Sequence, residues 1–231
     1  MELYLPFPLQ TVTQGFGEND TETYARGGLK GHTTLDFDPG WGVPVPFCAT
    51  GRVYSILNKD NPDPSRYRAV YQIVHDGDIS YEVSYGHLDQ ILAKVGQMAQ
   101  AGQILGTVGN TGEVYHDGAP VTNVERLSGS HAGAHLHGPQ VRPCKRVRFT
   151  RPGKQYLQDG YGLYRDVAGN YYEVIDYDNG FNGCVTPSFN GRLATSAKAA
   201  TETIPAAIAQ ISATVSHYIA SRSAPPASTA T

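Results

Sequence analysis

Cysteine is scarce in this chain. Only Cys48, Cys144 and Cys184 occur among 231 residues. None belongs to a C-x-x-C pair, which excludes a zinc ribbon and a thioredoxin-like redox motif. Three thiols cannot make a complete disulfide set, so buried or free thiols are expected, with a Cys144–Cys184 bridge left open. Long apolar runs are missing too. No stretch reaches the roughly 18 residues a membrane-spanning helix needs. Basic charge is not in excess. Lysine and arginine number 18 against 21 acidic residues, a formal net charge of −3. No positive field exists to hold nucleic acid. The opening residues, Met1-Glu2-Leu3-Tyr4-Leu5-Pro6, carry no basic segment followed by an apolar one, so no secretory signal is expected.

Turn-forming residues are abundant. Gly 26 and Pro 15 together make about 18% of the chain, above the usual ~12% but below the level of disordered sequences. Tyr 15 against Phe 7 fits strands with one wet face. The length suits one sizeable domain with a small appendage. Residues 1–150 read as strands and turns. Val70, Gln72 and Val74 run into Asp76-Gly77, and Ile79, Tyr81 and Val83 follow. Asp-Gly between two alternating runs predicts a type I′ hairpin, with His75 solvated beside it. Residues 58–68 form a polar loop broken by Pro62 and Pro64. Between 95 and 112, five glycines separate Val, Ile and Leu, which predicts short strands with tight turns. Residues 113–134 read as a long polar loop holding His116 and His131.

The C-terminal third differs. Residues 151–195 are rich in Tyr, Asp, Asn and Gly, and read as an extension packed on or following the core. Between 196 and 222, Ile204, Ile208, Ile211, Val215 and Tyr218 recur at four- and three-residue steps, which predicts a helix. Docking on its own domain is expected for it, with self-association or partner docking as the alternative. Residues 223–231 read as a disordered tail.

The chemistry concentrates in three short segments. They are Gly31-His32-Thr33-Thr34-Leu35-Asp36, Tyr85-Gly86-His87-Leu88 and Gly133-Ala134-His135-Leu136-His137. In a strand, residues at i and i+2 share a face, so His135 and His137 are expected side by side. His32 and Asp36, four apart, also share a face. Two histidines and one aspartate are enough to hold a zinc ion and leave a position open, the composition of a catalytic site. All three segments read as strands.

Together these segments resemble the lysostaphin-like zinc metallopeptidases, family M23. The likeness runs from about residue 8 to 145. Val12-Thr13-Gln14-Gly15-Phe16-Gly17 is similar to the family's opening strand, and Thr50-Gly51-Arg52-Val53 to a characteristic turn. Val95-Gly96-Gln97, Gly102-Gln103-Ile104-Leu105-Gly106 and Val108-Gly109-Asn110-Thr111-Gly112 are similar to its glycine-rich stretch. The resemblance implies a mainly β fold: an antiparallel sheet or barrel-sandwich core with a central groove, the duplicated hybrid motif. It implies His32, Asp36 and His137 as ligands of one zinc ion per chain, and His87 and His135 as catalytic histidines. A tyrosine upstream of the first ligand assists some relatives, and Tyr24 is the nearby candidate. Thr34 stands where the family has glycine. Gly138 stands where it has a large apolar residue, which predicts looser packing behind the ligand. The insert 113–134 is expected beside the groove, with His116 and His131 on the surface.

The implied function is hydrolysis of peptide bonds in bacterial peptidoglycan, in a cross-bridge or stem peptide. The alternative is a catalytically silent wall-binding or virion structural module. Action at the cell wall, periplasm or exterior is expected. Without a signal, delivery as a phage-type lysin or virion-associated enzyme is the favoured expectation.

Overall fold

The computed structural model describes residues 1–18, 21–128, 131–147 and 163–195. One compact unit spans Met1–Ala194, and of the residues beyond it only Thr195 is described. The helix expected over 196–222 and the tail 223–231 lie outside the described residues.

The described fold is mainly β, and every pairing between its named strands is antiparallel. The first strands are β1 (Val12–Gln14), β2 (Asp36–Phe37), β3 (Pro44–Pro46) and β4 (Gly51–Leu57). They are followed by β5 (Ala69–Asp76), β6 (Ile79–Gly86), β7 (Leu88–Ile91), β8 (Met98–Ala99) and β9 (Ile104–Val108). The insert carries β10 (Tyr115–His116) and β11 (Ala119–Pro120). Then come the long β12 (Leu136–Val147), β13 (Leu163–Arg165) and β14 (Tyr171–Val174). Two short helices, α1 (Thr21–Arg26) and α2 (Asn123–Leu127), complete the set. The large sheet runs β1-β2-β12-β6-β5-β4-β8, with β14 on the far half of β12 and β13 beyond it. A smaller sheet runs β3-β9-β7.

The β5–β6 hairpin forms as the alternation predicts, paired from Val70↔Tyr85 to Asp76↔Ile79. Its turn sits one residue later than expected. The two loop residues are Gly77 and Asp78, and only Gly77 has positive φ, at 60°. That is the pattern of a type II′ turn, which places glycine first, and it replaces the predicted type I′ turn.

One apolar cluster draws on both sheets, with Phe37, Val53, Tyr85 and Leu136 from the large one and Val45, Leu88 and Leu105 from the small one. Tyr85 is fully buried at its centre, and its hydroxyl accepts from Cys48 N at 2.8 Å and lies 3.4 Å from Gln72 Oε1. Gln72 Nε2 in turn donates to Ala49 O at 2.9 Å. The extension adds to this frame: β14 pairs with β12 from Cys144↔Val174 to Val147↔Tyr171. The cysteines Cys48, Cys144 and Cys184 are all buried free thiols, so no 144–184 bridge forms. Burial pushes each thiol up, which keeps it protonated and unreactive.

Three expectations need correction. His32 lies in irregular chain before β2, and His87 lies between β6 and β7, so neither is on a strand. His87 has φ 58°, a conformation non-glycine residues adopt rarely, at the corner where the chain leaves the large sheet for the small one. The insert is also more than a loop. It holds the β10–β11 hairpin, helix α2 with a Thr122–Glu125 capping box, and its own small core of Val114, Val121 and Ala132.

The third concerns Gly138, where looser packing was expected. It has φ 134°, and a Cβ there would stand 2.6 Å from Ser84 O on β6. The β12–β6 register shifts between His137 and Gln140, so the glycine marks a close approach. Gly138→Ala is expected to destabilise the fold by about 1–3 kcal/mol in urea unfolding, because backbone must move. An unchanged unfolding midpoint would show that this approach is not tight.

Candidate metal centre and groove

Asp36 and His137 are cross-strand partners in the β2–β12 pairing. This register sets a carboxylate beside an imidazole before any ion is considered. His32 reaches the same point from the preceding segment. Its backbone is held on both sides: Gly17 N donates to His32 O and His32 N donates to Glu18 O, each at 2.8 Å. Thr34 is fully buried, and its hydroxyl donates to Pro139 O at 2.7 Å. The hydroxyl therefore ties the ligand segment to the ligand strand.

Three donor atoms converge. His32 Nε2 is 3.1 Å from His137 Nδ1 and 3.2 Å from Asp36 Oδ1, and His137 Nδ1 is 3.1 Å from Asp36 Oδ1. The edge of a tetrahedron with zinc bonds of 2.0–2.1 Å is about 3.3–3.4 Å. The triangle is thus close to the size a metal ion requires. His32 Nδ1 faces Gly15 O at 3.3 Å, which fixes the proton there and leaves the Nε2 lone pair pointing inward. One proton on His137 Nδ1 cannot satisfy both neighbouring acceptors well, whereas a cation serves all three. The donor set therefore fits the ion that the sequence implied. Among the described residues, His32, Asp36 and His137 are the group able to hold a metal.

Two further imidazoles stand next to the triangle. The His87 and His135 ring centroids are 4.5 Å apart, and His87 lies 5.7 Å from His137. Both rings are pinned the same way. His87 Nδ1 donates to Thr111 O at 2.6 Å, and His135 Nδ1 donates to Gly133 O at 2.8 Å. Each Nε2 therefore keeps its lone pair. His135 Nε2 is 3.5 Å from Asp36 Oδ2. Main-chain bonding extends the same support: His135 N donates to Gly109 O at 3.0 Å.

Electrostatics agree with this reading. Burial alone would raise Asp36, but the charges and hydrogen bonds of His135, His137 and His32 outweigh it and hold the carboxyl well below its usual range. Burial, then the charges of His135 and His137, pushes His87 well below the ordinary imidazole value. Burial lowers His137 too, against the pull of Asp36. A charged carboxylate and neutral imidazoles are the forms that bind metal.

These groups line a groove of about 1150 Å³. One wall is Thr13, Gln14 and Tyr24. Tyr24 donates to Gln14 Oε1 at 3.0 Å, and its ring lies 5.8 Å from that of His32. The insert lines it elsewhere, through Glu113 to His116, Glu125 and His131. The insert does border the groove as expected. His116 is largely exposed, but His131 is not a plain surface residue: its ring stacks on Trp41, centroids 3.9 Å apart and planes 4° from parallel. Sequence reasoning missed Trp41, the single tryptophan of the chain. Its isolation beside Gly40 and Gly42 was the available signal. Glu18, Asp38, Glu113 and Glu125 line the groove, and among the described residues no lysine or arginine does.

Residues 30–138 match the model of peptidase family M23. Over 83 residues it is 35% identical to the peptidoglycan DD-endopeptidase ShyA of Vibrio cholerae serotype O1, which is 36% of this chain and 18% of ShyA. The chain thus spans under a fifth of that relative's length. Among solved structures it is similar to the catalytic domain of lysostaphin from Staphylococcus simulans. There the identity is 21%, coverage 57% of this chain and 79% of that one, and the TM-score 0.38. It is also similar to the prophage-encoded M23 protein EnpA from Enterococcus faecalis, at 20% identity, 61% and 86% coverage and a TM-score of 0.39.

The geometry separates ligands from neighbours. His32→Ala is expected to lose bound zinc, whereas His135→Ala retains one zinc per chain by elemental analysis. Loss of zinc from the His135 variant would overturn the division. Zinc binding should also weaken as the medium is acidified, since an imidazole that takes up a proton ceases to ligate, and the burial that lowers His137 holds off that loss at this ligand.

Proposed function

We propose that the chain is a zinc endopeptidase that cuts peptide bonds of bacterial peptidoglycan. The observation that carries this reading is the triangle of His32, Asp36 and His137 with two pinned imidazoles turned to the same groove. A zinc ion held there supplies Lewis acidity and makes water nucleophilic near neutral pH. His87, with its proton fixed on Nδ1, offers Nε2 to accept a proton from the attacking water. His135, with Asp36 Oδ2 3.5 Å from its Nε2, suits the donor role toward the oxyanion or the leaving amine in the form that carries a proton on both ring nitrogens. The acidic lining disfavours anionic polymers such as a phosphodiester chain and suits a neutral or amine-bearing peptide. The peptidoglycan assignment is supported by the family and by the DD-endopeptidase relative.

The test is mass spectrometry of muropeptides released from several purified walls, with and without a chelator. Chelator-sensitive release of peptides is expected, and the fragments name the bond. No release from any wall would favour a silent binding module. His87→Ala and His135→Ala should each lower turnover about 10²–10⁴-fold on peptide substrates. A substrate with a better leaving group should restore His135→Ala but not His87→Ala. The opposite pattern would reverse the two roles.

A further inference from the structure

One buried side chain of the insert reaches the backbone beside the reacting groups. Arg126, on α2, is only 7% exposed. Its guanidinium donates to Asn110 O through Nη1, and to Val121 O through Nη2 at 3.0 Å. Asn110 is itself buried, and its Nδ2 donates to Ala132 O at 3.0 Å. The peptides at either end of this staple carry the carbonyls that orient the two non-ligand histidines. Thr111, next after Asn110, receives His87 Nδ1. Gly133, next after Ala132, receives His135 Nδ1. Gly109, just before Asn110, receives the His135 main-chain N–H. Residues 109–111 and 132–133 thus form a frame around both imidazoles, and Arg126 holds it from the insert side.

We propose that the insert 113–134 is a positioning device for His87 and His135, with Arg126 as its positioning residue acting through the Asn110–Thr111 peptide. The proposal rests on the reading of these two histidines as proton-transfer groups. A side chain that only stapled the insert to the domain would bond any convenient acceptor. Arg126 bonds the residue whose neighbours on both sides hold the histidines. Asn110 then carries the constraint across to Ala132 and Gly133. The other side of the frame is also fixed: Thr111 Oγ1 donates to Leu88 O at 3.0 Å and accepts from Arg68 N at 3.1 Å. Losing Arg126 frees one edge of a frame whose other edge stays in place. The expected consequence is misorientation of the imidazoles with the metal ligands undisturbed.

The experiment uses the full, zinc-loaded chain and the variants Arg126→Gln and Arg126→Lys. Nitrogen-15 imidazole spectra report tautomer directly. The wild type should show His87 and His135 with the proton on Nδ1. In Arg126→Gln the His87 signals should move toward a mixture of tautomers, with zinc content unchanged. Turnover on wall peptides should fall about 10- to 100-fold with little change in KM, as small misplacements of reacting groups do. Arg126→Lys, keeping one donor, should recover part of both effects. Trp41 emission checks that the insert remains seated against His131. If the wild type cuts no wall peptide yet Arg126→Gln shifts the His87 signals, the positioning stands and the peptidase reading fails. If the signals of both histidines are unchanged in Arg126→Gln, the proposal is overturned whatever the activity. Should Arg126→Gln not fold, the same spectra of Arg126→Lys decide.

Discussion

The site depends on one cross-strand pair, Asp36 opposite His137. The β2–β12 register alone makes a carboxylate and an imidazole neighbours, and the rest of the arrangement follows from it. A shift of one residue in either strand would turn one of the two side chains to the other face of the sheet. The fold guards this register from several directions. Gly138 lets β12 press against β6 immediately after the ligand, Gly138 N donates to Leu35 O at 3.0 Å, and Thr34 bonds Pro139 O. The metal triangle is therefore set by backbone pairing, with side-chain rotamers left only the final adjustment.

Around that pair, the chain pins three further imidazoles through Nδ1. His32 Nδ1 faces Gly15 O, His87 Nδ1 faces Thr111 O and His135 Nδ1 faces Gly133 O. Main-chain carbonyls are well suited to this task. They neither titrate nor rotate independently, so the tautomer is set by the fold. The positive φ of His87 belongs to the same design. A residue at a sheet-to-sheet corner can turn its ring toward the groove, at a conformational cost of order 1–3 kcal/mol.

Much of this was legible in the sequence because the informative signals were local. The i, i+2 pair His135 and His137, the i, i+4 pair His32 and Asp36, and the alternation through β5 and β6 all survive in the fold. Most of what failed depended on contacts between distant residues, the hairpin turn excepted. The turn after Asp76 shifted by one because Gly77-Asp78 fits the twist as well as Asp76-Gly77 does. Gly138 read as a packing defect because Ser84, which it touches, is more than fifty positions away. The insert read as a polar loop because its small core needs Val114, Val121 and Ala132 together, and its anchors, Trp41 and Asn110, lie outside it. Arg126 carried no periodic or motif signal at all.

The boundary of the family segment has a practical side. The match ends at residue 138, yet β12 continues to Val147 and pairs with β6 as far as Cys144↔Ser80. A fragment trimmed to the family limits would strip β6 of one of its two partners over most of its length. The exposed edge would offer the main-chain groups of Glu82 and Ser84, which face β12, to other chains, a template for aggregation. Recombinant or chimeric versions of this domain therefore belong at seams outside the sheet, well beyond the point where family likeness fades.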